Sequence, residues 1–405
     1  MKTTHYIFTT LALTSLSLFG QDPVNSFNPS DTWTLLPEYT DEFNATTINW
    51  TKWSKTNNLP NVAAWKWNND TNVLPTSYQG EQAASITARQ NTGNTPVDGT
   101  YFNTGCLQST NVLPTGFVGY VEARIWGADL EAPLASGIDK RRGVCPAFWL
   151  YSEFYDDKPV GEVIYTEIDV VELQQFDYYN GVQDLIYDAE SNLHLATKVA
   201  TGNGRNFIRP KQNPDAQLNK YELPGRFDPA KGWHTYGCEI TPDKIHFYID
   251  GIKVGKSLDN THWSKNPLQV IVSLGMRVPF VTFSGNAFVP VNPEEDGRAS
   301  KNLPAMPVSM YLDYLRVWSK DNALSVSDSK QSKLKAFPNP TEDYLYLKDT
   351  QNAEITIFNS LGQSVFQKQL ENHTKPIDVR HLLPGIYFIK TNHNNQIKTG
   401  KFIKK

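Results

Sequence analysis

Between residues 22 and 318 no stretch of ten or more residues carries an apolar period near 3.6. Apolar residues recur instead in short runs rich in β-branched and aromatic side chains. Residues 117–125 (Phe-Val-Gly-Tyr-Val-Glu-Ala-Arg-Ile), 147–151, 163–173, 235–240, 244–248, 268–274 and 310–318 are such runs. A chain with no apolar stripe to offer a helix must bury the faces of sheets against one another. Asp250-Gly251, between Phe247-Tyr248-Ile249 and Ile252-Lys253-Val254, is a strong signal for a two-residue hairpin turn. The expected architecture is all-β: two stacked antiparallel sheets forming a β-sandwich of the jelly-roll type.

Charge and composition narrow the function classes. The 405 residues carry 38 basic and 42 acidic side chains, a net charge of −4, which excludes the basic footprint of a general nucleic-acid binder. Residues 1–20 have a single Lys2, an apolar core over 7–19 and Gly20 at the boundary. They read as a secretory signal peptide, too short to span a bilayer, and no other run approaches the roughly 18 apolar residues of a span. The mature protein is expected to be exported, soluble and monomeric. Cys106, Cys145 and Cys238 are an odd number, so at most one bridge can form, and none has metal-ligand spacing. Cys145 and Cys238 read as small buried strand residues.

Residues 319–333 are polar and lack aromatics, which marks a linker. The 334–405 tail holds 10 basic against 6 acidic side chains, leaving 28 against 36 for the rest. Its short apolar runs, such as Tyr344-Leu345-Tyr346-Leu347 and Ile355-Thr356-Ile357-Phe358, are punctuated by Pro, Asn and Gly and predict a small C-terminal β-sandwich. This tail resembles the C-terminal sorting domain of the type IX secretion system over nearly its whole length. The resemblance implies an export address and a partner in the secretion machinery, with a secreted or cell-surface destination. A carbohydrate-binding module is the weaker reading, because the tail has no Trp on which a sugar can stack.

The most informative strand is Tyr165-Thr166-Glu167-Ile168-Asp169-Val170-Val171-Glu172-Leu173. Three acids in six residues of an apolar strand need a reason, since unpaired buried charge is costly. In a regular strand Glu167 and Asp169 share a face, while Glu172, five positions on, points the other way. A one-residue bulge at Val170-Val171 restores Glu172 to the face of the other two and leaves Ile168 and one valine toward the core. Two glutamates on one face suit glycoside hydrolysis with retention, one attacking the anomeric carbon and the other protonating the leaving oxygen. That chemistry wants the carboxyls about 5 to 5.5 Å apart. Asp169 is placed to hydrogen-bond the nucleophile.

Glu167-Ile168-Asp169-Val170-Val171-Glu172 resembles the E-x-D-x-x-E signature of glycoside hydrolase family 16, in the bulged form of agarases, porphyranases and carrageenases. Supporting segments are Asp41-Glu42-Phe43-Asn44, residues 119–124, Pro146-Ala147-Phe148-Trp149-Leu150 and residues 311–318, so the resemblance covers roughly residues 35–318. It implies a concanavalin A-like jelly roll over residues 21–318, with Glu167 as nucleophile, Asp169 as assisting acid and Glu172 as general acid/base. No cofactor is required for this chemistry. Many members hold a structural calcium, for which Asp313 is a candidate oxygen ligand.

Val171-Glu172-Leu173-Gln174-Gln175 and Ser273-Leu274-Gly275-Met276-Arg277, among other stretches, look most like the κ-carrageenase and furcellaranase branches. These cut β-1,4 bonds in sulfated galactans of red algae. A sulfate ester calls for a bidentate, permanently charged donor, which makes Arg277 the first candidate, followed by Arg124 and Lys140-Arg141-Arg142. The negative charge of the catalytic part opposes long-range steering of a polyanion, so local arginines must select. Trp65, Trp67, Trp149 and Trp263 are candidate sugar-stacking residues, each with a core reading of equal weight, whereas Trp33 and Trp318 read as core. His194 either bonds the sugar or Glu167, or is a structural histidine. The expected function is a secreted, endo-acting, retaining hydrolase of κ-carrageenan or furcellaran. A β-agarase or β-porphyranase is the alternative, and a non-catalytic galactan-binding lectin is the weakest reading.

Overall fold

The computed structural model describes residues 22–24, 31–55, 59, 64–97, 99–130, 143–173, 178–179, 182–202, 204–208, 219–284, 287–321, 334, 336–347, 353–359, 364–370, 376–393 and 396–405. The signal-peptide reading and the Lys140-Arg141-Arg142 candidate lie outside the described residues, as does most of the linker reading. The chain divides into two compact units, residues 1–323 and 324–405. No helix among the described residues is long and apolar enough to cross a membrane.

The first unit is an all-β sandwich of a ten-stranded and a seven-stranded sheet. All pairings within them are antiparallel except the short Lys66–Trp67 pairing with Phe102–Thr104. Alternation explains the stacking. From the larger sheet Val121, Ala123 and Ile125 enter the central core, where they meet Phe148, Leu150, Ile168, Leu193, Val270 and Val272 from the smaller one. The residues between these points turn outward on each sheet. In the smaller sheet the order runs Arg205–Ile208, Asp188–Lys198, Val163–Glu172, Val144–Tyr151, Gln269–Met276, Cys106–Gln108. The acid strand is therefore central, with a hydrogen-bonded neighbour on both sides. At the hairpin anticipated from sequence, Asp250 and Gly251 take φ of 49° and 74° between paired Ile249 and Ile252. Positive φ at both central residues is what a type I′ turn demands.

The N-terminal segment is tied to the last strand, Val308–Asp321. Arg316 grips Glu42 through two hydrogen bonds of 2.8 and 2.7 Å, and Trp53 Nε1 donates to Asp41 at 2.8 Å. Trp318 is buried on the outer face of the large sheet, while Trp33 ends half-buried, edge-on to Tyr120. The three cysteines are buried. The second unit packs a three-stranded and a four-stranded sheet around Leu345, Ile355, Ile357, Ile389 and Phe402.

Glu122 is the most unusual buried charge of the large sheet, at 1% exposure. Burial pushes its carboxyl from 4.5 up to about 7, against the opposing pull of hydrogen bonds from the Tyr314 hydroxyl and the Val24 amide. Between pH 4.5 and 7 the folded chain thus keeps a proton that the unfolded chain has released. Stability from this group falls as pH rises through that window, by about 3 kcal/mol in total, and is level above it. Tryptophan fluorescence reports the first unit alone, since the tail has no Trp. Urea unfolding followed this way at pH 5 to 8 should show a flatter pH dependence for Glu122→Gln than for wild type; equal slopes would contradict the assignment.

Candidate active site

Register locates the bulge. Against Val144–Tyr151, Trp149 faces Asp169 and Phe148 faces Val171, so Val170 is the extra residue. Against Asp188–Lys198 the same skip appears, with Asn192 opposite Asp169 and Glu190 opposite Glu172. Ser191 Oγ donates to the Val170 carbonyl at 2.7 Å and so takes up a backbone acceptor at the bulge. Glu167, Asp169 and Glu172 turn to the outward face. Both Val170 and Val171 enter the core, at 2% and 1% exposure, where the sequence reading placed only one. A bulge puts two consecutive residues opposite one partner, which lets both side chains lean inward.

The acids form a connected charge system. The Tyr165 hydroxyl donates to Glu167 Oε2. His194 Nε2 lies 3.0 Å from Asp169 Oδ2 and 3.7 Å from Glu167 Oε1. Asp169 is hydrogen-bonded to Glu167, and its own carboxyl is pushed well above the usual range, first by burial and then by the charge of Glu172. The hydrogen bond with Glu167 opposes that rise. Glu172 accepts from Arg277 Nη2 at 2.9 Å and from Asn192 Nδ2 at 3.3 Å. Asn192 also reaches Glu190 Oε2 at 3.3 Å. Glu190 is a fourth, buried carboxylate whose countercharge is Lys220, 4.0 Å away and itself paired with Asp184. Glu167 and Glu172 keep side-chain exposures of 20% and 18%, so both stay within reach of a substrate.

The other candidates separate by sheet and depth. Arg277 stands beside Glu172, with Nη1 on the Met276 carbonyl and the guanidinium 5.0 Å above Phe288. A Cβ at Gly275 would come within 3.2 Å of Arg277 Nη1 and 3.4 Å of Trp65, so glycine keeps that packing open. Trp149 is half-buried on the acid face, its Nε1 donating to Ser273 Oγ at 3.1 Å. Trp67 is half-buried against the same apolar patch around Tyr165. Trp65 and Trp263 are buried in the core and present no face to a sugar; Trp263 Nε1 instead holds the His194 carbonyl at 3.0 Å.

Arg124 lies on the outer face of the other sheet, bonded to Glu81 at 3.0 Å and Asp313 at 2.5 Å, which removes it from the group facing the acids. That same pairing argues against Asp313 as a calcium ligand, because a guanidinium in contact repels a cation. Among the described residues, the grouping with ligand-type atoms within 4.8 Å of one another is Glu167, Asp169 and His194. Tyr165, Asn192 and Glu190 were missed by the sequence reading. Tyr165 was accessible from its i−2 spacing to Glu167, but the other two depend on the register of a separate strand.

Comparison with known proteins places this arrangement. Residues 33–320 match the family described as Beta-porphyranase A-D, GH16 domain, and residues 335–405 match the secretion system C-terminal sorting domain. A kappa-carrageenase of Pseudoalteromonas carrageenovora is 33% identical over 305 residues, a match covering 72% of this chain and 66% of that protein. The crystal structure of a kappa-carrageenase from Zobellia galactanivorans is 46% identical with a TM-score of 0.65, covering 74% of this chain and 100% of that one. The P. carrageenovora kappa-carrageenase in complex with an oligotetrasaccharide of kappa-carrageenan is 32% identical with a TM-score of 0.57, covering 74% and 99%. Porphyranase B from Z. galactanivorans, 17% identical with a TM-score of 0.51, shares the fold. From residue 33 to residue 320 this chain belongs to glycoside hydrolase family 16, and it carries a secretion-system sorting domain behind it.

Proposed function

We propose that the protein is an exported, endo-acting, retaining hydrolase of β-1,4 bonds in sulfated red-algal galactan, of the κ-carrageenan or furcellaran type. The observation that carries this is the bulge that sets Glu167 and Glu172 on one face of one strand. Glu167, oriented by Tyr165 and Asp169, attacks the anomeric carbon. Glu172 delivers a proton to the departing oxygen, then takes one from the water that opens the glycosyl-enzyme ester. Asp169 serves the first step by holding the nucleophile in place through their hydrogen bond. Every group comes from one chain, so the reading needs no second copy.

Likeness to the two kappa-carrageenases supports the sulfated substrate. So does Arg277, a permanent cation beside Glu172 whose planar fork suits an ester sulfate. A porphyranase or agarase is the second reading, favoured by the porphyranase description of the matching family. The sorting domain directs the chain to the cell surface or the medium, where such polymers are met.

Reducing-end release should be measured on κ-carrageenan, furcellaran, agarose and porphyran. Wild type is expected to act on the first two and Glu167→Gln to lose about 10³-fold or more in kcat; no release from any galactan would leave only a lectin. Arg277→Met should lower kcat/KM on sulfated chains about tenfold more than on agarose, and an equal loss on both would remove arginine from sulfate selection. Asp169→Asn can still hydrogen-bond Glu167, so its kcat should exceed that of Asp169→Ala by about tenfold; parity between the two would show that the hydrogen bond has no part in the reaction.

A further inference from the structure

Sugar subsites are built on aromatic faces that solvent can reach. Among the Phe, Tyr and Trp residues of the first unit whose burial is described, Phe283 alone is exposed, with 56% of its surface open. It lies on a separate two-stranded hairpin, Val281–Ser284 paired with Ala287–Pro290, directly opposite Phe288. Opposed residues project from the same face, and the two rings meet edge to face with centroids 5.5 Å apart. Phe288 in turn packs 5.7 Å from Trp65 and beneath the guanidinium of Arg277, the residue that grips Glu172. Contacts thus run without a break from Glu172 through Arg277 and Phe288 to Phe283.

The base of the hairpin is anchored to the same arginine. The amides of Phe280 and Val281 donate to the Arg277 carbonyl at 3.0 and 3.3 Å, and the Phe280 ring is fully buried against Phe102. Phe283 is therefore held at a defined place relative to Glu172, yet leaves more than half its surface in water, where it adds little to folding. Thr282 and Ser284 on either side of it in the strand are exposed and polar, and the ring itself offers a platform of about one sugar's width.

We propose that Phe283 is the stacking platform of an outer subsite, receiving a galactan ring as the chain passes the catalytic centre on the Glu172 side. The inference rests on the galactanase reading and deepens it. The occupant is a galactose-type ring, whose C–H face is the apolar surface a phenyl plane accepts. Because two side chains stand between Phe283 and Glu172, the contact is made only by substrates long enough to extend beyond the bond being cut.

The test uses the full chain. Affinity for sulfated galactan oligosaccharides of increasing length is measured by calorimetry in the Glu167→Gln background, with Phe283 intact, as Phe283→Ala and as Phe283→Trp; kcat and KM are measured in the active enzyme. Phe283→Ala should weaken binding of long oligosaccharides and raise their KM about tenfold, leave the shortest bound substrates unchanged and spare kcat, with Phe283→Trp restoring the long-chain affinity. Equal affinity of Phe283→Ala and its parent at every length overturns the proposal. So does a loss that is uniform across lengths or not recovered by Trp, which would reflect distortion of the Arg277 contact instead. Binding without hydrolysis by wild type would sink the enzymatic reading while the length series still decides Phe283; no binding of any galactan by the parent overturns both.

Discussion

A single additional residue in the central strand of the smaller sheet, Val170, is the constraint on which the catalytic arrangement depends. Strict alternation would drive Glu172 into a core occupied by Ile168, Phe148 and Leu193, where an unpaired carboxylate costs several kcal/mol. The bulge reverses this. Two valines go inward, the third acid goes outward, and Ser191 takes up a carbonyl left at the irregularity. Regular strands on both sides hold the distortion in place, so the acids are presented by a rigid element rather than by a loop.

The face so created carries more negative than positive charge, and each carboxylate has a different solution. Glu167 has the Tyr165 hydroxyl and the hydrogen-bonded Asp169 beside it, with His194 3.7 Å away. Glu172 has the permanent cation of Arg277, and buried Glu190 has Lys220. Asn192 joins the last two carboxylates through one amide. The arginine that selects for sulfate in the proposed reading is thus also the partner of the proposed acid/base. Substrate recognition and proton transfer then share a group, and Phe288 and Phe283 extend that group toward solvent.

The larger sheet has a different task. Its outer face is a network of aromatics and ion pairs, with Arg124 on Glu81 and Asp313, Arg316 on Glu42, and Tyr78 stacked on Tyr311 at 3.6 Å. These groups fasten the N-terminal segment and close the back of the sandwich. Arg124 was a sulfate candidate on residue type, as a permanently charged planar fork. Alternation gives the face of a strand and is silent about which of two sheets the strand joins.

Local pattern alone determined that this chain forms stacked sheets, that Asp250-Gly251 turns a hairpin, that the tail is a separate β unit, and that three acids share one bulged strand. Each follows from residues within about ten positions of one another, where period-two alternation and turn chemistry operate. Tertiary structure alone decided that Trp65 and Trp263 are buried while Phe283 is bare, that Arg277 and not Arg124 meets the acids, and that Glu190 and Asn192 stand beside Glu172. Those outcomes turn on the register between distant strands and on the order of strands in each sheet, which are settled by how the whole core packs.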